Sequence, residues 1–287
     1  MVSSKSEVTP RTDELDEVVA AALREDLGDG DVTTRFVVGP DLMGEARITA
    51  KSAGVLSGAD AAARVFEMLR PPCEYVAVAP DGARLEPGDE AARIVGALGS
   101  ILTAERTALN FLQRLSGIAT LTRRYADALA PYDNVTLLDT RKTTPGLRFL
   151  ERAAVRAGGG HNHRAGLWDA ILIKDNHVTA AGGVSTAVER ARSAGMPVEV
   201  EVDTIAQLLE ALDAGAEIVL LDNMSPDEMR RAVEITAGRA KLEASGGMTL
   251  DGAVAAAQAG VDRISVGALT HSAPALDLSL EVIKTWR

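Results

Sequence analysis

The sequence contains very little cysteine and few aromatic residues. Its single cysteine, Cys73, has no second thiol for an intrachain disulfide or a zinc cluster, so we expect a buried thiol in a reducing compartment. Two tryptophans, three tyrosines and four phenylalanines in 287 residues provide few rings for stacking on bases. Because the net charge is also −11, the composition argues against nucleic acid as a partner.

Long hydrophobic runs are also missing. The N-terminal segment has no apolar stretch of the kind that secretory signals carry, and no later run approaches the roughly 20 residues of a membrane-spanning helix. We therefore expect a cytoplasmic protein with no membrane partner. The hydrophobic content of 46% is still enough for a substantial core, which excludes disorder as the main state.

Positive charge is scarce overall but concentrated in one segment. Between Arg141 and His177 the chain has seven basic and three acidic residues, and three of the four histidines fall there. A cationic cluster in an acidic protein favours a small, highly anionic ligand over a polymer.

The pattern of apolar residues predicts two domains. Residues 1–116 contain an amphipathic helix that follows Thr12, and then short alternating runs separated by Pro and Gly turns, which are typical of a small α+β domain. Residues 117–275 form the second domain. The last segment, 276–287, is predicted to be a helix that packs back on the first domain.

Short β-branched or Leu-rich runs alternate with Ala-rich stretches from about residue 135 onward. Their spacing of 20 to 35 residues is that of parallel βα repeats and predicts an α/β barrel. The six runs begin at residues 135, 170, 198, 218, 241 and 263. A weaker run at 153–158 is the candidate for a seventh strand. No eighth run is found, so the predicted barrel is incomplete.

The runs end in polar residues or glycine. In barrels of this kind the C-terminal ends of the strands carry the chemistry, so these ends predict one shared site. The terminal residues are Asp139, Lys174 with Asp175, Asp203, Asp222 with Asn223, Ser245 with Gly246, and Gly267.

Several cations follow the first two of these strands. Arg141 and Lys142 are adjacent, which favours a carboxylate or phosphate ligand over a solvated charge pair. The pair His163 and Arg164 follows three glycines and supplies a hydrogen-bond donor and a carboxylate-binding fork; a metal site is the less favoured alternative. Lys174 is either a cation for a ligand or a Schiff-base nucleophile, unless it simply pairs with a neighbouring acid.

Acidic side chains follow the next strands. Glu199, Glu201 and Asp203 alternate on one face of a strand, and Asp222 ends a neighbouring one. Carboxylates at adjacent strand ends suit Mg²⁺ that carries a phosphorylated substrate, although a structural carboxylate is the alternative for each. The glycine-containing segments 245–247 and 266–269 are predicted to hold a phosphate on backbone amides, or else to form tight packing turns.

Several motifs, in order, resemble those of the quinolinate phosphoribosyltransferases, a family of type II phosphoribosyltransferases. The resemblance covers nearly the whole chain. The motifs are REDLGDGDVTT, LTAERTALNFLQRLSGIAT, DTRKTTPGLR, GGGHNHRAGLWDAILIKDNH, VEVEVD, LLDN, EASGG and VGALTHS.

The resemblance implies an N-terminal α/β sandwich, a seven-stranded incomplete α/β barrel and a homodimer or a larger assembly of dimers. It implies transfer of phosphoribosyl from 5-phosphoribosyl-1-pyrophosphate (PRPP) to quinolinate with decarboxylation, a step of NAD biosynthesis that requires Mg²⁺ and no organic cofactor.

The resemblance also implies roles for individual residues. The quinolinate ligands are Arg141, His163, Arg164 and Lys174, with Arg106 contributed across the dimer interface. The residues implied to bind PRPP are Lys142, Glu201, Asp222, Ser245, Gly246, Gly247, Gly267 and His271. Glu201 and Asp222 bind Mg²⁺ directly or through water, and they are implied to be catalytic together with Lys142 and Lys174.

Three alternatives remain open on the sequence. The first is a phosphoribosyltransferase of the same fold that acts on another pyridine carboxylate. The second is a Schiff-base aldolase that uses Lys174. The third is a non-catalytic protein that binds phosphorylated metabolites.

Overall fold

The computed structural model describes residues 12–287 and divides the chain into two compact units. The first unit comprises residues up to Leu121 together with Thr144–Gly158 and Ala273–Arg287. The second unit comprises Thr122–Thr143 and Gly159–Ser272.

The helices and strands alternate along most of the chain. As far as the first long helix they are α1 (Thr12–Leu27), α2 (Val32–Val37), β1 (Met43–Ala50), β2 (Gly54–Val55), α3 (Ala59–Met68), β3 (Glu74–Ala77), β4 (Arg84–Leu85), β5 (Glu90–Ala97) and α4 (Leu98–Leu129). The remaining elements are β6 (Thr136–Leu138), α5 (Arg148–Ala157), β7 (Ile171–Ile173), α6 (Asp175–Ala181), α7 (Val184–Arg192), β8 (Val198–Val202), α8 (Ile205–Asp213), β9 (Ile218–Asp222), α9 (Pro226–Thr236), β10 (Lys241–Ser245), α10 (Leu250–Ala259), β11 (Arg263–Ser265), α11 (Ala268–His271) and β12 (Leu278–Trp286). The predicted domain boundary after residue 116 falls inside α4.

The first unit contains a four-stranded antiparallel sheet in the order β12-β1-β5-β3. Alternate residues of β1 are buried, as expected for a strand with one face on a core. Ile48 of β1, Ile94 of β5 and Phe66 of α3 are fully buried in that core. The thiol of Cys73 is buried too, and burial raises its pKa to about 11.

The C-terminal segment corrects a prediction. The residues expected to form a helix at 276–287 form strand β12, which pairs antiparallel with β1 from Leu278 opposite Ala50 to Trp286 opposite Met43. The apolar residues Leu278, Leu280 and Val282 recur with a period of two, which suits a strand. Through this pairing the segment belongs to the first unit.

The second unit contains a six-stranded parallel sheet in the order β6-β11-β10-β9-β8-β7. Helices of the βα repeats pack on its outer face, where Val200 and Val202 of β8 are buried. This is the predicted incomplete α/β barrel.

The seventh strand lies elsewhere than predicted. Residues 153–158 belong almost entirely to α5, in which Leu150, Glu151, Ala154 and Val155 are buried with helical spacing. The seventh position is instead a single backbone bridge between His161 and Leu138 of β6. Two backbone hydrogen bonds form this bridge. The amide of His161 donates to the carbonyl of Leu137, and the amide of Asp139 donates to the carbonyl of His161.

Capping residues begin the helices directly after the strands, which keeps the connecting loops short. Thr204 and Ser225 each cap a helix in a reciprocal arrangement with Gln207 and Glu228, and Thr249 caps α10. Among residues 12–287, no helix combines the length and the apolar character that crossing a bilayer demands.

Candidate active site

A cavity of about 570 Å³ lies at the C-terminal ends of the parallel strands in the second unit. Its lining residues are Thr140, Arg141, Lys142, His163, Arg164, Leu172, Lys174, Glu201, Leu220, Asp222, Asn223, Glu243, Ser245, Gly246, Gly247 and Ser265. All the predicted site residues except Arg106, Gly267 and His271 are therefore brought together in one cavity. The position agrees with the general location of active sites in barrels.

The register of the strands explains why the acidic residues share this cavity. Glu201 of β8 lies opposite Leu220 of β9, and Asp222 lies two positions further along β9. Because side chains alternate between the faces of a sheet, Glu201 and Asp222 point to the same face. Ser245 of β10 lies opposite Asp222 and points the same way.

The loop after β6 presents Arg141 and Lys142. The backbone carbonyl of Lys142 accepts a hydrogen bond from the buried Thr270 hydroxyl at 2.8 Å, which fastens the loop. A Cβ at Gly267 would lie 3.1 Å from both Lys142 Cδ and His271 Nε2. Gly267 and His271 thus lie beside the Lys142 side chain, although they do not line the cavity itself.

Arg141 and Arg164 lie close enough to repel each other. Burial and this like-charge repulsion lower the pKa of Arg164, against the opposing effect of Glu199 and Asp169. The Nε atom of Arg141 is buried and has no hydrogen-bond partner within the part of the chain that the structure describes. Two guanidinium groups facing one cavity are suited to a ligand with more than one carboxylate.

Lys174 ends β7 and forms an ion pair with the Glu201 carboxylate of the neighbouring strand. Its backbone amide donates to His177 Nδ1 at 2.9 Å, so the start of α6 fixes the main chain at this point. The Lys174 side chain keeps 46% of its surface exposed, so it can be reached from the cavity.

A network of buried charged groups lies beneath the cations. The Nε2 atom of His163 is 3.1 Å from Glu199 Oε2 and 3.4 Å from Glu243 Oε1. Arg263 Nε is 3.2 Å from the other oxygen of Glu243, whose side chain is fully buried. The ligand atoms of His163, Glu199 and Glu243 lie within 4.8 Å of one another, a spacing that a metal ion would accept. The Arg263 guanidinium, however, already supplies positive charge to Glu243.

Contacts at both ring nitrogens influence the protonation of His163. Burial lowers the pKa of His163, but the Glu199 and Glu243 carboxylates outweigh burial and raise the pKa to about 9. The backbone N–H of Arg164 donates to Nδ1 at 2.7 Å. That bond favours the neutral ring because it needs a lone pair on Nδ1, whereas the two carboxylates favour the protonated ring, so the contacts at the two nitrogens act on the pKa in opposite directions.

A turn at Gly246 closes the cavity beside Asn223. Gly246 has φ of +96°, and a Cβ there would lie 2.2 Å from Asn223 Oδ1. Asn223 also has a positive φ of 53°, and its side chain donates to Asp222 Oδ2. Gly247 likewise has a positive φ, but a Cβ at that position would meet open space.

Several lining residues were not predicted as site residues. They are Thr140, Leu172, Leu220, Glu243 and Ser265, while Asn223 was predicted only as a strand-end residue. Glu243 lies two residues before Ser245, so strand alternation places it on the same face and was the available signal. Asp203, in contrast, lies beyond the end of β8 and is exposed.

Comparisons with known proteins show the family to which the chain belongs. The profile of the quinolinate phosphoribosyl transferase C-terminal domain matches residues 118–281, and that of the N-terminal domain matches residues 31–116. The chain belongs to the quinolinate phosphoribosyltransferase family. A relative from Bacillus subtilis, a probable nicotinate-nucleotide pyrophosphorylase (carboxylating), is 44% identical over 261 residues, covering 90% of each chain.

Other members of the family are similar over comparable lengths. Quinolinate phosphoribosyltransferase (decarboxylating) 1 from Nicotiana glauca is 42% identical, over 94% of this chain and 83% of its own. The solved structure of the nicotinate-nucleotide pyrophosphorylase from Francisella tularensis superposes with a TM-score of 0.91 at 40% identity, over 96% of this chain and 98% of that one. The one from Ehrlichia chaffeensis has a TM-score of 0.90 at 34% identity, over 97% and 100%.

Arg106, the remaining predicted quinolinate ligand, belongs to the first unit. It lies on α4 and is exposed.

Proposed function

We propose that this chain transfers the phosphoribosyl group of PRPP to quinolinate and releases pyrophosphate and CO₂, giving nicotinate mononucleotide for NAD biosynthesis. The observation that carries the proposal is the convergence of Arg141 and Arg164 on one cavity that also contains Lys142, Lys174 and two strand-end carboxylates. The family to which the chain belongs supports the same reaction.

Quinolinate, a pyridine dicarboxylate, matches the cationic side of the cavity. Arg141, Arg164 and Lys174 bind its two carboxylates together with His163, which lines the same cavity. Each charge-assisted hydrogen bond to a carboxylate contributes about 1.5 to 3 kcal/mol, so the three cations together select a doubly charged ligand over a singly charged one.

PRPP occupies the side of the cavity formed by β9, β10 and β11. Lys142 pairs with its pyrophosphate, and the turn at Ser245–Gly247 offers backbone amides to a phosphate. Gly267 and His271 border the Lys142 side chain and complete this side.

The carboxylate oxygens of the cavity are suited to binding Mg²⁺. Glu201 and Asp222 are hard oxygen ligands on neighbouring strands, and both face the cavity. They would hold a magnesium ion that keeps water molecules and substrate phosphates as its other ligands. When bound, the ion neutralises charge on the departing pyrophosphate.

The reaction proceeds by displacement at the ribose carbon that carries pyrophosphate. The quinolinate ring nitrogen forms the new C–N bond, and the electron pair of the broken C–O bond leaves with pyrophosphate. Positive charge develops on the ribose ring, and the carboxylates of Glu201 and Asp222 stabilise it. Lys142 stabilises the departing pyrophosphate, and Lys174 stabilises the quinolinate carboxylates.

Decarboxylation then follows from the charge on the product ring. The ring nitrogen is now quaternary and accepts electron density from the bond that holds the adjacent carboxylate. That bond breaks to release CO₂, and a proton from solvent takes its place on the ring carbon. No organic cofactor is needed because the substrate itself provides the electron sink.

A homodimer completes the site in this proposal. Arg106 of one subunit reaches the quinolinate in the cavity of the other, and dimers assemble further or remain as such. The exposure of Arg106 on α4 supports this role.

A product assay tests the proposed function. Purified protein is incubated with quinolinate, PRPP and Mg²⁺, and nicotinate mononucleotide, pyrophosphate and CO₂ are measured. We expect equimolar products with quinolinate and none with nicotinate in its place. Turnover of nicotinate without CO₂, or no release of pyrophosphate from PRPP, would contradict the proposal.

A further inference from the structure

Two arginines on different segments of the chain face the proposed quinolinate site. Arg141 follows β6, whereas Arg164 belongs to the loop that leads into β7, and both line the cavity. Burial and the repulsion between these two positive charges lower the pKa of Arg164. The same repulsion pushes the two segments apart, so other contacts must hold them together.

Asp139 joins the two segments. It is fully buried and lies between the end of β6 and Arg141. One carboxylate oxygen accepts a hydrogen bond from the His163 amide at 2.7 Å, and the other accepts from Asn162 Nδ2 at 2.6 Å. Both oxygens are therefore bonded to the two residues that precede Arg164.

The carboxylate extends a connection that the backbone begins. The amide of Asp139 donates to the carbonyl of His161 at 3.0 Å, as part of the bridge between β6 and this segment. The carboxylate carries the link two residues further, to Asn162 and His163. Because a buried carboxylate is costly without hydrogen-bond donors, separation of the two segments is opposed over three consecutive residues.

The position of this segment also decides where the Arg164 guanidinium lies. Its Nη1 donates to the carbonyl of Ala170 at 3.2 Å, and the Asp169 carboxylate accepts from the two amides that follow Arg164. These bonds close the loop on itself. Asp139, which holds the start of the loop, thereby sets the position of Arg164 relative to Arg141.

We propose that Asp139 is a positioning residue for the proposed reaction: it holds the Arg164 segment against the end of β6, so that both guanidinium groups reach the two carboxylates of one quinolinate. Asp139 acts through these arginines and not by contact with the substrate, because it is buried outside the lining of the cavity. The inference rests on the proposed function, since it concerns how the quinolinate site is built.

A double-mutant cycle measures the coupling between Asp139 and Arg164. Dissociation constants for quinolinate are determined by isothermal titration calorimetry for wild type, Asp139→Ala, Arg164→Ala and the double variant. We expect Asp139→Ala to weaken binding about 10-fold alone but less than about 3-fold when Arg164 is already alanine, because most of its effect passes through Arg164. Equal losses in both backgrounds would contradict the inference.

The two substrates separate positioning from a general disturbance of the cavity. The groups proposed to bind PRPP have supports other than Asp139. The Thr270 hydroxyl holds the Lys142 carbonyl at 2.8 Å, and Glu201 and Asp222 lie on other strands. Asp139→Ala should therefore raise KM for quinolinate about 10-fold and change KM for PRPP by less than about 2-fold. A parallel rise of both KM values would overturn the inference.

Asp262 provides a matched control at the opposite end of the sheet. Its amide donates to the Leu242 carbonyl at 2.9 Å, and its carboxylate accepts from the Leu242 amide at 2.9 Å. Asp262→Ala should lower the melting temperature but leave the dissociation constant for quinolinate within about 2-fold of wild type. If it weakened quinolinate binding as much as Asp139→Ala, a general loss of stability would explain both effects and the inference would be wrong.

Two milder variants keep the test decisive if Asp139→Ala fails to fold. Asn162→Ala removes one of the two carboxylate bonds, and we expect it to weaken quinolinate binding about 3-fold. Asp139→Asn keeps an oxygen for the His163 amide and can donate to Asn162 once that amide turns, so its loss should stay below about 3-fold. Wild-type affinity in Asn162→Ala, or a loss above about 10-fold in Asp139→Asn, would contradict a role that depends on these hydrogen bonds.

The outcome for wild type distinguishes the two levels of the proposal. If wild type binds no quinolinate, the proposed function is wrong and this inference falls with it. If wild type binds quinolinate and forms product but the cycle is additive, only the role of Asp139 is wrong.

Discussion

Lys174 and Glu201 form an ion pair at the C-terminal ends of two neighbouring parallel strands, inside the proposed active site. The two residues are assigned to different substrates, so each must leave the other, at least in part, when substrates bind. An ion pair with a partly exposed lysine contributes little to stability, typically below about 1 kcal/mol. The pair therefore keeps both groups in place without preventing substrate from entering.

Removing either charge of this ion pair should change the kinetic constants for the two substrates differently. We expect Lys174→Ala to raise KM for quinolinate by about 10- to 100-fold, because one charge-assisted contact is lost. Glu201→Gln should mainly lower kcat and raise the Mg²⁺ concentration needed for half-maximal rate. Steady-state kinetics with each substrate varied in turn would measure both effects.

A lysine outside the cavity offers the control for that experiment. Lys241 pairs with Asp262 and lies at the opposite end of β10 from Ser245. Lys241→Ala should leave both KM values within about 2-fold of wild type. The assignment of substrates would be wrong if Lys174→Ala changed only the KM for PRPP.

The two arginines of the cavity should each be essential for quinolinate affinity. Arg141→Ala and Arg164→Ala are each expected to weaken quinolinate binding by roughly 10- to 100-fold or more, while the KM for PRPP changes less. The exposed Arg231 on α9 provides a control, since Arg231→Ala removes the same charge away from the cavity. Unchanged constants in both cavity variants would refute the assignment.

The turn at Gly246 should tolerate no side chain. Gly246→Ala combines an unfavourable φ of +96° with a contact of 2.2 Å to Asn223, so we expect a loss of about 3 kcal/mol in the free energy of unfolding. Gly247→Ala has a positive φ but open space, and should cost only about 1 kcal/mol. Urea denaturation of the two variants measures the difference, and equal losses would show that the contact with Asn223 has no effect.

Shared active sites should be revealed by mixing two inactive subunits. Arg106→Ala and Arg141→Ala would each reduce activity strongly as homodimers. If Arg106 acts across the interface, mixed dimers contain one intact cavity, and random reassociation should recover about a quarter of wild-type activity. No recovery, with mixed dimers demonstrated by mass spectrometry, would mean that Arg106 does not act on the partner's cavity.

Cys73 should be unreactive in the native protein. Burial raises the pKa of its thiol to about 11, so very little thiolate exists at pH 8 and the sulfur is shielded from reagents. A colorimetric disulfide reagent should therefore react at least about 100-fold more slowly with native than with denatured protein. Rapid labelling of native protein would show that the segment around Cys73 opens readily.

The sequence by itself was sufficient to predict the barrel and most of the site. Alternating β and α runs of regular length are a local property, and strands of one parallel sheet bring their C-terminal ends to one edge. For that reason Arg141, Arg164, Lys174, Glu201 and Asp222 were correctly placed in one cavity, although they lie far apart along the chain.

Only the tertiary structure decided which segments pair and which groups touch. Residues 278–286 become a strand because β1 offers an edge to pair with, and His161, rather than residues 153–158, supplies the seventh strand position. The contacts of His163 with Glu243 and of Lys174 with Glu201 likewise join distant segments. Such contacts depend on the packing of elements against one another, and no local pattern of residues encodes them.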